Sequence, residues 1–253
     1  MGNCNFVNNP IVPGTRATKD RDGVRVNATE YKPIVGCLMY LTVTRPDLMF
    51  VVCLASRFMA DPTELHMQIV KRVLRYVKGT LEFGILYKRR GDAKLLAYTD
   101  SDYAGDVEDR KSTSGYVFSL SGGVISWSSK KQPVVALSTT EAEYIAAAYY
   151  ATQGIWLKQI LDKLSQTEGL DITIFCDNSS TIKLSKNPVF HGHSKHIEVQ
   201  FHFLCELNND GKVKLIHCNS FNQVADIMTK PLKLDVFVKL QELLGVCKVP
   251  SLN

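Results

Sequence analysis

The chain has 253 residues, 45% of them hydrophobic and 22% charged, and its 30 Lys and Arg against 25 Asp and Glu leave a formal charge of +5. That composition excludes wholesale disorder, and the longest apolar runs, Leu48 to Ala55 and Ile145 to Tyr150, fall far short of the ~18 residues needed to cross a bilayer. Seven scattered cysteines with no Cys-x-x-Cys pair exclude a zinc knuckle or a disulfide scaffold and predict reduced thiols; the absence of a basic start followed by an apolar stretch predicts an intracellular protein rather than a secreted one.

Residues 1 to 28 are polar and rich in turn formers, which predicts an extended lead-in. Three helices follow, at about 30 to 42, 46 to 60 and 63 to 79. The last two are opened by Thr44-Arg45-Pro46-Asp47 and Asp61-Pro62-Thr63-Glu64, where a cap-type residue stands beside a first-turn proline and an early carboxylate. A short strand at 83 to 87 comes next, and then the period changes from helical to extended. Strands are predicted at 95 to 99, 114 to 120 and 123 to 129, with Ser121-Gly122-Gly123 as a tight hairpin and a weaker strand signal at Pro133 to Leu137. A long helix over 141 to 164 is opened by Ser138-Thr139-Thr140-Glu141 at capping-box spacing. The remaining elements are a strand at 172 to 176, helices at 179 to 185 and 198 to 207, a strand at 212 to 217 and a short helix at 224 to 228. That order describes an α/β fold with a mixed five-stranded sheet flanked by helices and preceded by a small helical segment. The predicted division is a lead-in at 1–28, a helical segment at 29–90, the α/β domain at 91–232 and a helical tail at 233–253.

Four carboxylates stand where this layout converges: Asp100 ends the first strand of the α/β domain, Glu143 lies in the first turn of the long helix, Asp177 ends the fourth strand, and Asp226 opens the last short helix. Singly, each reads as a surface acid or a helix cap. Together at one sheet edge they would repel unless a cation neutralised them. Oxygen-rich clusters suit Mg²⁺ or Mn²⁺, and a pair of ions about 4 Å apart can clamp the attacking water and leaving oxygen of a phosphodiester. Asp102, Asp106, Glu108 and Asp109 share the acidic stretch with Asp100, and most of them read as solvated loop charges.

From about Leu95 to Leu232 the chain resembles the ribonuclease H domain of copia-type long-terminal-repeat retrotransposon Pol polyproteins. The motifs that carry the likeness are Tyr98-Thr99-Asp100-Ser101-Asp102-Tyr103-Ala104-Gly105-Asp106, Asp109-Arg110-Lys111-Ser112-Thr113-Ser114-Gly115-Tyr116, Ile125-Ser126-Trp127-Ser128-Ser129-Lys130-Lys131-Gln132, Ser138-Thr139-Thr140-Glu141-Ala142-Glu143-Tyr144, Cys176-Asp177-Asn178, Lys186-Asn187-Pro188, Ser194-Lys195-His196-Ile197 and Ala225-Asp226-Ile227-Met228-Thr229-Lys230-Pro231-Leu232. Residues 29 to 80 resemble the segment that joins polymerase to ribonuclease H, so the chain reads as the carboxyl end of a longer polyprotein. The resemblance implies a ribonuclease H-like fold and metal-dependent cleavage of the RNA strand of RNA:DNA hybrids. It also implies two Mg²⁺ or Mn²⁺ ions held by Asp100, Glu143, Asp177 and Asp226, with Asp100 bridging them. Glu141 is the rival to Glu143.

Ser112, Thr113, Ser138, Thr139 and Asn178 are expected to contact the hybrid's 2′-hydroxyls and phosphates, and Lys130 and Lys131 its backbone. Ser179 replaces the Gln often found after Asp-Asn in this family, and Trp127 reads as core. His217 is left out of the catalytic set, and His191, His193, His196 and His202 complete no zinc site. The expected partners are the hybrid and the polymerase part of the polyprotein, with no membrane and no small-molecule cofactor; the implied location is a cytoplasmic virus-like particle or the nucleus. No Tyr-x-Asp-Asp hairpin, Asp-Thr/Ser-Gly string or integrase-type His/Cys site is present, so polymerase, protease and integrase activity are not expected. Two other function classes fit the same residues: a hybrid-binding fragment that cleaves poorly, and a host protein that uses the fold as an interaction scaffold. The helices at 30 to 79 are expected to expose an apolar face toward the polymerase.

Overall fold

The structure, a computed structural model, describes residues 4–88, 95–165, 172–186 and 195–249, without the side chains of 165 and 195–201. Three helices come first: α1 (Ala28–Leu41), α2 (Met49–Ser56, entered through a 3₁₀ turn at Pro46–Leu48) and α3 (Glu64–Gly79). The first and third start where the sequence supplies side-chain partners for backbone donors. The Asn27 side chain accepts from Thr29 N–H, and Thr63 and His66 cap α3 reciprocally. Residues 4 to 9 are tied down along α3: Arg72 donates to Asn9, Arg75 to the Asn5 carbonyl and Lys78 to the Cys4 carbonyl.

After β1 (Phe83–Ile85) come β2 (Leu96–Ser101), β3 (Thr113–Leu120), β4 (Gly123–Lys131), α4 (Thr139–Ser165), β5 (Ile172–Cys176), α5 (Ser179–Lys186), α6 (Lys195–Asn209) and β6 (Val213–His217). Two 3₁₀ turns, Ser220–Asn222 and Val224–Met228, lead to α7 (Leu234–Leu243) and β7 (Val246–Lys248). The expected five-stranded mixed sheet has the order β4-β3-β2-β5-β6; β4, β3 and β2 are antiparallel, whereas β2, β5 and β6 run parallel. The β3–β4 hairpin turns on Ser121 and Gly122, both at positive φ (52° and 84°), a geometry whose twist matches that of the strands. No strand forms at 133–137, where the chain instead crosses from β4 to the start of α4.

Alternation along the strands sends neighbouring residues to opposite faces. Phe118, Ala97, Ile172 and Ile174 face α4 and α6, where Tyr144, Ala148, Leu204 and Leu207 complete one core. Val117 and Val124 face the other way, into a core shared with α1, α2, α3, α7 and the 224–228 turn. The first three helices pack on one another and α2 packs on β4, so part of their apolar surface is covered, while Met39 and Tyr40 of α1 stay exposed. Trp127 packs against that core and its indole N–H donates to the Thr42 carbonyl at 3.0 Å. The expected helical tail is α7 followed by a strand, for β7 pairs antiparallel with β1. A buried Arg45–Asp47 ion pair at 2.8 Å joins these parts, since Asp47 also accepts from Tyr76 and from Gln241 of α7. The boundary placed between residues 90 and 91 lies outside the described residues. Among the described residues no helix is long and apolar enough to cross a membrane.

Candidate active site

Because β2, β5 and β6 are parallel, their carboxyl ends share one edge of the sheet, and α4 starts at that same edge. Asp100 sits in the last turn of the β2 ladder, Asp177 immediately follows β5, Glu143 lies in the first turns of α4, and Asp226 lies in the 3₁₀ turn after β6. Asp100, Glu143 and Asp226 are buried, at 2, 6 and 7% exposure, and Asp177 is half-buried at the rim of an open cleft. One carboxylate oxygen each from Asp100, Asp177 and Asp226 lie within 4.8 Å of one another, and atoms of Glu143, Cys176 and Asp177 form a second group under the same limit. The structure therefore brings all four sequence-predicted acids together, with Asp177 common to both groups.

Local packing explains how the acids are held there. Gly115, opposite Asp100 in β3, lets the 224–228 turn press on the sheet, since a Cβ at that position would meet Met228 and, at 2.9 Å, Thr229 Cγ2. Gln223, fully buried, donates to the Thr99 carbonyl at 2.9 Å and accepts from Ala225 N–H, which fixes the turn to the end of β2. Ser101 N–H donates to Glu143 Oε1 at 3.2 Å, Ser220 donates to Asp177 Oδ2 at 3.0 Å, and the Thr229 hydroxyl donates to Asp100 Oδ2.

Crowding of like charges in a buried place disfavours ionisation. Burial first, then the Asp100 and Asp177 charges, hold the Glu143 carboxyl well above its usual range. Burial and the Asp100 charge push Asp226 up to about 7, against the opposing pull of Lys230. Asp102 is pushed up to about 6, mainly by burial. Its carboxylate accepts from Thr113 N–H, so it is neither a solvated loop charge nor part of either three-residue group. Asp106 is a second exception to the solvated reading: Lys131 at 2.5 Å and Arg57 at 3.5 Å flank it.

The remaining site residues divide. Thr139, exposed, and Asn178, half-buried, line the cleft with the acids, although Asn178 Oδ1 is occupied in capping α5 through Ser180 and Thr181 N–H. Ser138 is exposed and caps α4 by accepting from Glu141 N–H. Ser112 and Thr113 are corrections: both are buried, Ser112 accepting from Ala104 N–H and Thr113 Oγ1 from Arg57, so their hydroxyls shape the acidic loop rather than face a ligand. Lys131 is committed to Asp106 and Asp109, whereas Lys130 is exposed, with its ammonium 5.3 Å above the Tyr149 ring. Glu141 accepts from Leu137 N–H at 2.8 Å at the helix start, away from the cluster. His217 is exposed at the end of β6. Residues 187 to 194, with His191 and His193, and the side chain of His196 lie outside the described residues.

Sequence reasoning missed Lys230 and Thr229. Lys230 Nζ stands 2.9 Å from Asp226 Oδ1 and 3.6 Å from Asp100 Oδ2. The signal was the spacing Asp226, Thr229, Lys230, at i, i+3 and i+4, which puts the three on one side of a helical turn. The donor set fits divalent ions: it is all hard oxygen apart from Cys176, it is charged beyond what one lysine neutralises, and it opens to a cleft.

The chain thus has a five-stranded mixed sheet with acids gathered at the carboxyl ends of its parallel strands. The chain is 40% identical over 244 residues to the retrovirus-related Pol polyprotein from transposon RE1 of Arabidopsis thaliana, covering 96% of this chain and 17% of that one. It is 42% identical over 217 residues to the Pol polyprotein from transposon TNT 1-94 of Nicotiana tabacum, covering 85% and 16%. Its close homologues over most of the chain are copia-type retrotransposon Pol polyproteins, and it spans about a sixth of the length of these relatives. No family model matches. Among solved structures, LC11-RNase H1 in complex with an RNA/DNA hybrid aligns with a TM-score of 0.40 at 15% identity, over 54% of this chain and 94% of that one.

Proposed function

We propose that this chain is the ribonuclease H part of a copia-type Pol polyprotein and hydrolyses the RNA strand of RNA:DNA hybrids at the acidic cleft. The observation that carries the reading is the convergence of Asp100, Glu143, Asp177 and Asp226 from four separate elements on one edge, where burial and mutual repulsion leave them short of positive charge. Asp100, Glu143, Asp177 and Asp226 would together hold the divalent ions, with Asp100 and Asp226 in one ligand group. Bound ions would supply charge neutralisation of the scissile phosphate and a water acidic enough to attack it.

The chain's own residues do the rest. Ser101 N–H and Ser220 Oγ orient Glu143 and Asp177, and the Thr229 hydroxyl orients Asp100, so that the ligand oxygens are fixed before ions arrive. Glu143, held toward its protonated form in the ion-free site, can accept or return a proton as charge in the cleft changes. Thr139 and Asn178 at the cleft rim, and Lys130 further along the same edge of β4, are placed to meet sugar hydroxyls and phosphates. We place the catalytic unit at 91–232, with 1–28 and 29–90 as its lead-in and connection to the polymerase part, 233–253 as its tail, and the protein inside the cell.

The test is cleavage of a labelled hybrid with Mg²⁺ by the wild-type chain and by Asp177→Asn. Loss of cleavage with hybrid binding retained is expected; equal cleavage by the two defeats the assignment. Binding without cleavage by either protein would favour a hybrid-binding fragment, and no binding by either would favour an interaction scaffold.

A further inference from the structure

Lys230 occupies an unusual place for a cation in a site built for metal ions. Its ammonium lies 2.9 Å from Asp226 Oδ1 and 3.6 Å from Asp100 Oδ2, bridging two acids of one ligand group. The same Asp100 oxygen already accepts from the Thr229 hydroxyl. The Asp226 and Asp100 carboxylates are at most 10% exposed, whereas the lysine side chain remains 41% exposed and lines the open cleft beside Asp100, Glu143 and Asp177. Its carboxylate partners are thus fixed in the fold, and the lysine side chain is the most exposed of the three. A lysine is a compact, strongly hydrated point charge on a flexible four-carbon stem, so it can leave its partners without disturbing the backbone.

We propose that Lys230 is an exchangeable internal cation, which neutralises Asp100 and Asp226 in the ion-free protein and withdraws from them when a divalent ion enters. The inference rests on the reading of this cleft as a divalent-ion site. Two consequences have opposite signs. In the ion-free protein the lysine stabilises the fold by offsetting repulsion between buried carboxylates. Toward the incoming ion it is a competitor, because the ion must displace it. After withdrawal the ammonium stands at the cleft mouth, where the phosphates of a bound strand would receive it. Occupation of this ligand group is thereby coupled to the arrival of a polyanion.

The experiment is calorimetric titration of the substrate-free full chain with Mn²⁺, together with thermal melting in EDTA and in saturating Mn²⁺, for the wild type, Lys230→Gln and Lys212→Gln. Lys212 precedes β6 at the edge of the sheet opposite the acids and serves as the control for net charge. Lys230→Gln should bind Mn²⁺ about tenfold more tightly, equivalent to about 1.4 kcal/mol. It should also melt several degrees below the wild type in EDTA, with the difference abolished by Mn²⁺. Lys212→Gln should do neither. Unchanged or weaker Mn²⁺ binding by Lys230→Gln overturns the proposal, as does an equal gain in both variants. A purely structural lysine would lower the melting temperature with and without the ion. If the wild type and both variants bind no divalent ion, the reading of the cleft fails and this proposal with it; if all bind alike, only the role of Lys230 fails.

Discussion

Asp226→Asn should make the ion-free protein more stable at alkaline pH, although it removes one of the four converging acids. The folded chain holds the Asp226 carboxyl at about 7 against a usual 3.8, through burial and the Asp100 charge. Moving a carboxyl over that interval costs its ionised form a ceiling of about 4 kcal/mol. Relaxation of the site and coupling to the other acids reduce this to about 2 kcal/mol. The sign follows from proton linkage. Below about 3.8 both the folded and unfolded carboxyls are protonated and the penalty is absent; it grows as pH rises toward 7 and is complete above it. Asparagine keeps the shape and cannot ionise. At about 2–4 °C per kcal/mol for a chain of this size, the variant should melt about 4–8 °C above the wild type at pH 8 in EDTA, and level with it near pH 3.5. Added Mg²⁺ should reverse the order, because the wild type gains a ligand-bound ion and the variant does not. An Asp226→Asn chain that melts with or below the wild type at pH 8 without ions would refute the claim that the cluster is held together against its own repulsion.

Other changes probe the frame around the site. Asp47→Ala leaves the buried Arg45 guanidinium without its carboxylate and strips Tyr76 and Gln241 of an acceptor, so chemical denaturation should show a loss of about 3–5 kcal/mol. Gly115→Ala places a methyl against Met228 and Thr229 and should cost about 1–3 kcal/mol; hybrid cleavage should fall further than stability does, because the methyl pushes Asp226 from the sheet edge. Glu141→Gln should leave the cleavage rate unchanged. Glu143→Gln should lower it by about hundredfold or more, the equivalent of several kcal/mol of lost charge stabilisation.

Elements whose signals are local were legible in the sequence. The capping residues Asn27 and Thr63, the Ser121-Gly122 turn and the alternation in β2 to β4 each act within a few residues, and the observed bounds differ from the expected ones by few positions. The four acids were legible because strand ends and helix starts fix where side chains emerge once the parallel order is known. Contacts between distant segments were not. Nothing local tells Phe83–Ile85 that it will pair with Val246–Lys248, or tells α2 that it will pack on β4. Ser112 and Thr113 have the polarity of surface donors, yet the folded loop buries them against Ala104, Asp102 and Arg57. Lys230 was visible as a residue of the Asp226 motif, but its place between two carboxylates depends on β2 meeting a turn about 130 residues later.

The central claim is that these carboxylates share divalent ions, and anomalous diffraction from crystals soaked in Mn²⁺ tests it most directly. Strong peaks should lie in the cleft within bonding distance of Asp100, Glu143, Asp177 and Asp226, with the Lys230 side chain moved off Asp226. Crystals that bind Mn²⁺ elsewhere, or not at all, with the four acids still clustered around the lysine, would contradict it.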